Sequence, residues 1–398
     1  MKIFKILSST ELQFFCLKIN QKIINYKKNH MLVIILKYYY RIIKALLKKD
    51  FIQNAKSVVI SNSNLNDSNS YLRKYDSYVK YENCSLSKLQ FFNEFIRMPL
   101  FILEYLNIKS NYRNQIFEAY LYSRIITNNL KKSQISQVIF FGSDYSLIFL
   151  FATLVLNKKG IETIHYCDAG YLAEHNLMVS SKIYCRTDIQ KDYIQQRRDI
   201  FFTDKVYSFN IRSVSPANKI NNITKQRKIA VYSSGYYARF KRNVATGDNT
   251  AKGLRAEEEM INILKQFALA YKHVEITLFL HLHNNIENIA DGKKHFHDFL
   301  MLDNVRIQEE NENSIENFFE YELGICHKSE IFFDRYERGY KTILIGRNSN
   351  FNDFINRTSL INVIIEGDDI NAPAKIDKFL HMDVNEYFSL LNNKEEKE

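Results

Sequence analysis

Four short stretches of this 398-residue chain carry residue types suited to binding anions or moving a proton. The first is Tyr232-Ser233-Ser234-Gly235-Tyr236-Tyr237-Ala238-Arg239. Backbone N–H groups of a Ser/Ser/Gly turn approach an anion closely, and the Arg239 guanidinium can fork onto phosphate oxygens. The stretch is neither a Walker sequence nor G-x-G-x-x-G, and a small-residue turn has purely conformational uses as well. The second is His281-Leu282-His283. In extended chain these histidines point to opposite faces, so a shared metal is not expected, and His295 and His297 add no ligand spacing. One of the pair could still meet a phosphate or a nucleotide hydroxyl; a surface histidine is the plain alternative.

The third stretch, Cys326-His327-Lys328-Ser329-Glu330, precedes a helical segment carrying Asp334. Ser329 reads as an N-cap, where a hydroxyl and unsatisfied N–H groups at the positive end of a helix suit a pyrophosphate and suit an ordinary helix start equally. The fourth, Tyr166-Cys167-Asp168-Ala169-Gly170-Tyr171, is followed by Glu174 and His175. A carboxylate just past a strand is placed to act as general base toward a hydroxyl, although Asp before small residues also serves turns.

Each stretch follows an apolar run, and the surrounding pattern shows what must position them. Ser57–Ser61, Gln137–Phe141, Glu162–Tyr166 and Lys182–Cys185 read as strands. Helical segments intervene at Leu86–Leu106 (interrupted at Pro99), Gln115–Leu130, Tyr145–Asn157 with Gly160 as its cap, and a stretch ending at Gln196. Met31–Leu36 reads either as a buried strand or as the start of a helix running to Lys49. The polar stretch Ile211–Arg227 is expected to be a linker, after which the alternation restarts. Strands are expected at Lys228–Tyr232, Val274–Leu280, Val305–Gln308, Leu323–Cys326, Thr342–Ile345 and Ile361–Ile365. Helices are expected at Leu254–Tyr271, Gly292–Met301, Ser314–Tyr321, Ile331–Glu337 and Pro373–Leu391. Strands alternating with helices mean βαβ units and parallel sheets. The expectation is therefore an α/β chain of two Rossmann-like, doubly wound domains facing across a cleft, 1–212 and 213–398. In such sheets ligands bind beyond the carboxyl ends of strands, where all four stretches fall.

The net charge of +11 is concentrated: residues 1–50 hold eleven Lys/Arg against Glu11 and Asp50. Such a segment can lie on anionic lipid or be a solvated basic helix. No run is long enough to span a bilayer, and no secretory signal is expected at the start of the chain. The five scattered cysteines, without metal-type spacing, fit free thiols in a reducing cytosol. Basic charge confined to one arm, without a stacking-aromatic motif, argues against nucleic acid.

In order and spacing, residues 137–350 resemble bacterial surface-polysaccharide glycosyltransferases of the GT-B fold, sialyltransferase- and polysialyltransferase-like ones of capsule and lipooligosaccharide among them. That family shows an acidic-acidic-Gly turn, then His-Pro after a second-domain strand, then a hydroxyl pair at a helix start followed by an acidic residue and Gly. The matching positions here are Asp168-Ala169-Gly170, His281-Leu282-His283, and Ser329-Glu330 with Asp334 and Gly339. Ser233-Ser234-Gly235 takes the place of the family's first second-domain loop. The family's second acidic residue, its proline and its second hydroxyl residue are absent. The resemblance implies a nucleotide-sugar donor, CMP-linked or UDP/NDP-linked, and a glycan or lipid-linked acceptor of capsule, O-antigen or lipooligosaccharide. It implies Asp168 as base, with His281 or His283 and Ser329 on the donor phosphate or nucleotide. It implies no cofactor, and a cytoplasmic enzyme held at the inner membrane face by its basic first segment. No Asp-x-Asp sequence sits where a donor would bind, Gly367-Asp368-Asp369 following a late strand, so no essential divalent metal is expected. A sugar-nucleotide epimerase and a glycosyltransferase-like scaffold that has lost catalysis are the alternatives.

Overall fold

The computed structural model describes residues 31–46, 55–61, 75–80, 88–97, 100, 103, 105–106, 113–130, 134–141, 147–167, 170–172, 178–208, 227–241, 248–280, 286–308, 317–327, 329–346 and 351–392. The chain divides into two compact units. Unit 1 comprises Met1–Ala169, Glu174–Arg186 and Ile194–Phe209; unit 2 comprises Gly170–Ala173, Thr187–Tyr193 and Asn210–Glu398. Each is built on a six-stranded sheet in which every ladder is parallel.

Unit 1 begins its described part with α1 (Met31–Leu46). Ile34, Ile35, Tyr38, Ile42 and Ala45 recur at helical spacing and are buried, so Met31–Leu36 is the first half of this helix and not a strand. The sheet runs β2 (Ser77–Lys80), β1 (Ser57–Ser61), β3 (Gln137–Phe141), β4 (Glu162–Cys167), β5 (Met178–Cys185), β6 (Phe201–Ser208). α2 (Lys88–Ile96), α3 (Arg113–Asn129), α4 (Leu147–Lys158) and α5 (Asp188–Gln196) are its other helices by sequence, the first residues of α5 belonging to unit 2. Alternation along the strands sends Val58, Ile60, Val138 and Phe140 into the core shared with α1, α3 and α4. Val59, Ile139, Phe141 and Tyr166 face the other way. At the end of α4, Gly160 adopts φ 74°. Its N–H donates to Asn157 O (3.0 Å) and the Ile161 N–H to Leu156 O (3.1 Å), the paired bonds of a Schellman ending.

Unit 2 repeats the plan in the order β12 (Ile364–Ile365), β11 (Thr342–Ile345), β10 (Leu323–Cys326), β7 (Lys228–Tyr232), β8 (Glu275–Phe279), β9 (Val305–Ile307). Its central strands are near-continuous apolar runs, as burial on both faces demands. The helices are α6 (Tyr236–Lys241), α7 (Asp248–Ala270), α8 (Ile286–His295), α9 (His297–Leu300), α10 (Ile331–Tyr336), α11 (Asn352–Asn356), α12 (Ala372–His381) and α13 (Val384–Asn392).

Several expected elements are corrected. The strand expected at Ile361–Ile365 is a 3-10 turn over Ser359–Val363 that leaves two strand residues. Within Ser314–Tyr321 the described helical part is a 3-10 turn, Phe318–Glu320. The helix expected at Pro373–Leu391 is two helices, because Asp383 accepts the Asn385 N–H (2.8 Å) and starts a new one. Cys167, Cys185 and Cys326 are buried thiols that form no disulfide.

Candidate active site in unit 2

The unit 2 sheet grows in both directions from β7, with β8 on one side and β10 on the other. This is the switch point of the sheet, and in doubly wound folds ligands bind past the strand ends at such a point. Tyr232 and Cys326 are partners in the ladder, so Ser233 and His327 are the first residues beyond it on adjacent strands.

On the β7 side, Ser233-Ser234-Gly235 turns the chain into α6, with Gly235 at φ 67°. The turn wraps a carboxylate. Glu257 of α7 is fully buried. Its Oε1 accepts the Ser233 hydroxyl (2.6 Å) and the Ser234 N–H (2.7 Å), while Oε2 accepts the Tyr236 N–H (3.2 Å). The Gly235 N–H donates to Ser233 Oγ (3.0 Å). Burial pushes the Glu257 carboxyl above its ordinary range, and the Ser233 hydroxyl and neighbouring N–H groups draw it back part of the way. The Ser233 hydroxyl and the Ser234 N–H thus hold an internal carboxylate. A Cβ on Gly253 would lie 2.4 Å from the Tyr236 ring, so α6 and α7 approach in a way that needs glycine there.

On the β10 side, His327 is buried with Nδ1 3.2 Å from Ile345 O, and its ring lies 6.3 Å from that of Tyr236. Gly346, at φ 76° after β11, abuts it. Ser329 Oγ accepts the Ile331 N–H at 3.3 Å. Glu330, standing where the resembled family has a hydroxyl, accepts the Gly170 N–H at 2.6 Å. Gly170 is packed so closely that a Cβ would fall 2.0 Å from Phe333 Cδ2, and Gln190 Nε2 donates to its carbonyl (3.0 Å). The Tyr171 ring follows it into a cage of Phe333, Phe351 and Phe354. Burial raises the Tyr171 hydroxyl well above its ordinary range and pushes the Cys326 thiol up to about 12, so neither is a base or nucleophile near neutrality.

Among the expected site residues, Ser233, Ser234, Gly235 and Ser329 thus fall at the ends of two adjacent strands. Asp334 lies on α10, where its carbonyl accepts Arg338 Nη1 at 2.9 Å. Arg239 lies in α6. Asp168, His281 and His283 lie outside the described residues. Sequence reading passed over Glu257 and gave His327, within its third stretch, no role of its own. The signal for Glu257 was present: an acid within the apolar stripe Gly253, Ala256, Met260, Ile261, Leu264 of one helix. His327 was marked by its place directly after a strand. Gly367-Asp368-Asp369 is structural in its last residue, since Asp369 accepts the Asn371 N–H (2.9 Å) and Lys375 Nζ (2.5 Å). Among the described residues no group of three or more His, Cys, Asp or Glu could hold a metal ion.

No protein-family model and no curated protein matches this sequence. Solved structures do show likeness of architecture. MurG of Acinetobacter baumannii aligns with a TM-score of 0.47 at 11% identity, over 84% of this chain and 93% of that one. A glycosyltransferase from Rickettsia africae ESF-5 gives 0.46 at 11%, over 85% and 94%. The S. aureus MnaA–UDP structure gives 0.46 at 9%, over 84% and 90%. Likeness at this level leaves the function of the chain to its own residues.

Proposed function

We propose that the chain is a nucleotide-sugar-dependent glycosyltransferase of bacterial surface-polysaccharide assembly, with 1–212 as acceptor-side domain and 213–398 as donor-side domain. The observation that supports it is the switch point of a doubly wound parallel sheet in unit 2, where the Ser233 turn, His327 and Ser329 sit at the ends of β7 and β10. Nucleotides bind such crevices through N–H and hydroxyl donors. In this reading an acceptor hydroxyl displaces the nucleotide at the anomeric carbon of the donor sugar. Asp168 removes the proton, and Ser329 with His281 or His283 receives the departing phosphate. Because the Ser233 and Ser234 donors hold Glu257, the phosphate falls to the β10 side and Arg239. The acceptor is a glycan or lipid-linked saccharide, and the chain works peripherally at a membrane face; among the described residues no helix is long and apolar enough to cross one.

A second reading draws on one observation. The filled Ser233 turn is what a glycosyltransferase-like scaffold without donor chemistry would also show. Thermal unfolding against CMP-, UDP-, GDP- and dTDP-sugars and their free nucleotides separates the two. A ligand binding only the native state at 100 times its Kd adds about 2.7 kcal/mol. Stabilisation by one nucleotide class, abolished by Ser329→Ala or His283→Ala, is expected. A folded sample that no nucleotide stabilises rejects the transferase and leaves the scaffold.

A further inference from the structure

Among the described residues of unit 1, exposed large apolar side chains concentrate in one stretch of the chain. Fifteen large apolar side chains are exposed among the described residues, and ten of them fall between Val33 and Leu106. Scattered exposed apolar residues are ordinary, whereas a concentration of them marks an interaction surface.

The concentration has an ordered shape. With about 100° per residue, the outward side of α1 divides into two adjoining stripes. Val33, Leu36, Tyr40 and Ile43 fill an arc of about 80°, with Leu36 69% and Tyr40 67% exposed. Lys37, Arg41 and Lys44, all exposed, fill the neighbouring arc, and α1 contains no acidic residue. The inward side carries Ile34, Ile35, Tyr38 and Ile42, so the apolar outer stripe is additional to what the core uses. Contacts on the two flanks fix which stripe faces which neighbour. Tyr39 packs edge-on to Phe95 of α2 (5.9 Å), whereas Arg41 stacks on Tyr122 of α3 at 4.1 Å. The apolar stripe therefore continues into exposed Phe92, Phe95 and Ile96 of α2, and exposed Leu100, Leu103 and Leu106 follow in the sequence. The basic stripe borders it on the α3 side.

An apolar strip bordered by a row of cations is the pattern of a helix lying in the plane of a bilayer surface, its apolar side chains at headgroup depth and its cations against lipid phosphates. A protein partner would need a long apolar groove with an acidic rim, while an anionic bilayer supplies both features along its whole surface. We propose that the outer face of α1 and α2 docks flat on an anionic phospholipid bilayer. This rests on the proposed work at a membrane face and assigns it to a surface distinct from the basic residues that precede α1 in the sequence. The anchoring of α1 suits the task, since Tyr38 donates to Glu94 of α2 (2.6 Å) and Arg124 of α3 closes on the same carboxylate. The three helices present the strip as one body.

Vesicle flotation of the full chain tests it, using phosphatidylglycerol/phosphatidylcholine vesicles against pure phosphatidylcholine. Wild type is expected to float with the anionic vesicles. Leu36→Glu/Ile43→Glu, at exposed positions that leave the inner face intact, should weaken partitioning about tenfold or more. Lys37→Glu/Lys44→Glu should weaken it about fivefold per charge and make the remainder insensitive to salt. The proposal is overturned if wild type ignores anionic vesicles, or if both double variants float like wild type, which moves binding to other basic residues. It is also overturned if wild type is a dimer that Leu36→Glu/Ile43→Glu dissociates, because a second copy then covers the strip. Nucleotide stabilisation measured on the same preparations keeps the two readings apart. Stabilisation without flotation rejects this face alone, and flotation without stabilisation rejects the transferase alone.

Discussion

Each unit buries a carboxylate, and the two are held differently. In unit 1, Glu94 meets a guanidinium: Arg124 Nη2 lies 2.7 Å from Oε1 and Nε 2.9 Å from Oε2, with Tyr38 and Asn128 completing the shell. In unit 2, Glu257 meets a hydroxyl and N–H groups of a turn. The buried cations of unit 2 follow the same habit. Arg335 donates to the carbonyls of Phe318, Tyr321 and Lys341 and to the hydroxyls of Tyr232 and Thr342. Side chain against side chain ties helices together, as α1, α2 and α3 are tied. Side chain against main chain fixes the course of loops: Glu257 holds the turn that leaves β7, and Arg335 holds the segments that enter β10 and β11. Glu94 and its cation can be exchanged together, whereas the N–H partners of Glu257 and the carbonyl partners of Arg335 are removed by no substitution.

The largest effect is expected at Arg335. Arg335→Met takes a buried donor from the Tyr321 carbonyl and from the Tyr232 and Thr342 hydroxyls, while Phe318 O and Lys341 O keep the N–H groups of Tyr321 (3.4 Å) and Gly324 (2.9 Å). At about 1–3 kcal/mol for each group left unpaired, a loss of about 4 kcal/mol in chemical unfolding is expected. Gly324, whose Cβ would strike Arg335 Nε at 2.5 Å, shows how tightly the guanidinium is seated. A loss under about 1 kcal/mol would mean that these groups find other partners and that the contrast between the units is not energetic. Next is Glu257→Ala, with about 3 kcal/mol lost through the stranded donors of Ser233, Ser234 and Tyr236. If the emptied turn then takes phosphate, inorganic phosphate should stabilise the variant and not wild type.

In unit 1, Arg124→Met alone is expected to cost about 3 kcal/mol by leaving the Glu94 carboxylate buried without its cation. Arg124→Met combined with Glu94→Gln, which removes the charge and keeps an acceptor for Tyr38 and Asn128, should recover most of that loss, which no second substitution can do for Glu257. Burial pushes the Glu94 carboxyl up, but the bonds from Arg124, Tyr38 and Asn128 outweigh it and hold it below the carboxylate range. With the folded pKa below the unfolded one, Glu94 stabilises fully above the unfolded value and ever less as pH falls through the folded value. Wild type should therefore lose stability in acid more steeply than the double variant.

The same division between kinds of interaction explains what the sequence disclosed. Gln137–Phe141, Lys228–Tyr232, Leu323–Cys326 and Thr342–Ile345 stand in the structure as read, because a doubly buried parallel strand writes itself as an apolar run. β2 and β6 went unread. They are edge strands, and Phe-Phe-Thr-Asp-Lys-Val-Tyr-Ser in β6 has largely solvated side chains that give no run to see. The apolar stretch Ile361–Ile365 misled for the opposite reason: short apolar runs suit turns as well as strands, and here Asn362 Nδ2 donates to Leu390 O (2.9 Å) within a 3-10 turn that leaves only Ile364 and Ile365 as strand. At the site, the Ser-Ser-Gly turn was visible as an anion cradle, but its anion sits some twenty residues on, in a helix whose apolar stripe had to be read for its exception. Sequence marks which donors are available; the partner that takes them is a property of the fold.

The smallest effect sharpens the contrast through pH. Buried Lys341 sends its ammonium to the carbonyls of Phe379 (2.8 Å), Leu380 (2.9 Å) and Met382 (2.7 Å), at the carboxyl end of α12. That is the favoured end for a cation. Burial nonetheless lowers its pKa from 10.5 to about 8. Below pH 8 the folded and unfolded chains both carry the proton and no slope arises. Between about 8 and 10.5 the unfolded chain holds more proton than the folded one, so this group makes stability rise with pH, by at most about 1.4 kcal/mol per unit. Buried tyrosines oppose this above pH 10, since their pKa values are raised and the unfolded chain ionises first, Tyr387 among them. The comparison is therefore made between pH 8 and 9.5 as the difference between wild type and Lys341→Met. Wild type should gain about 1–2 kcal/mol relative to the variant across that span. Parallel stability curves would show that the three carbonyls keep the ammonium charged throughout, making Lys341 a fixed cap on α12 with no titrating role.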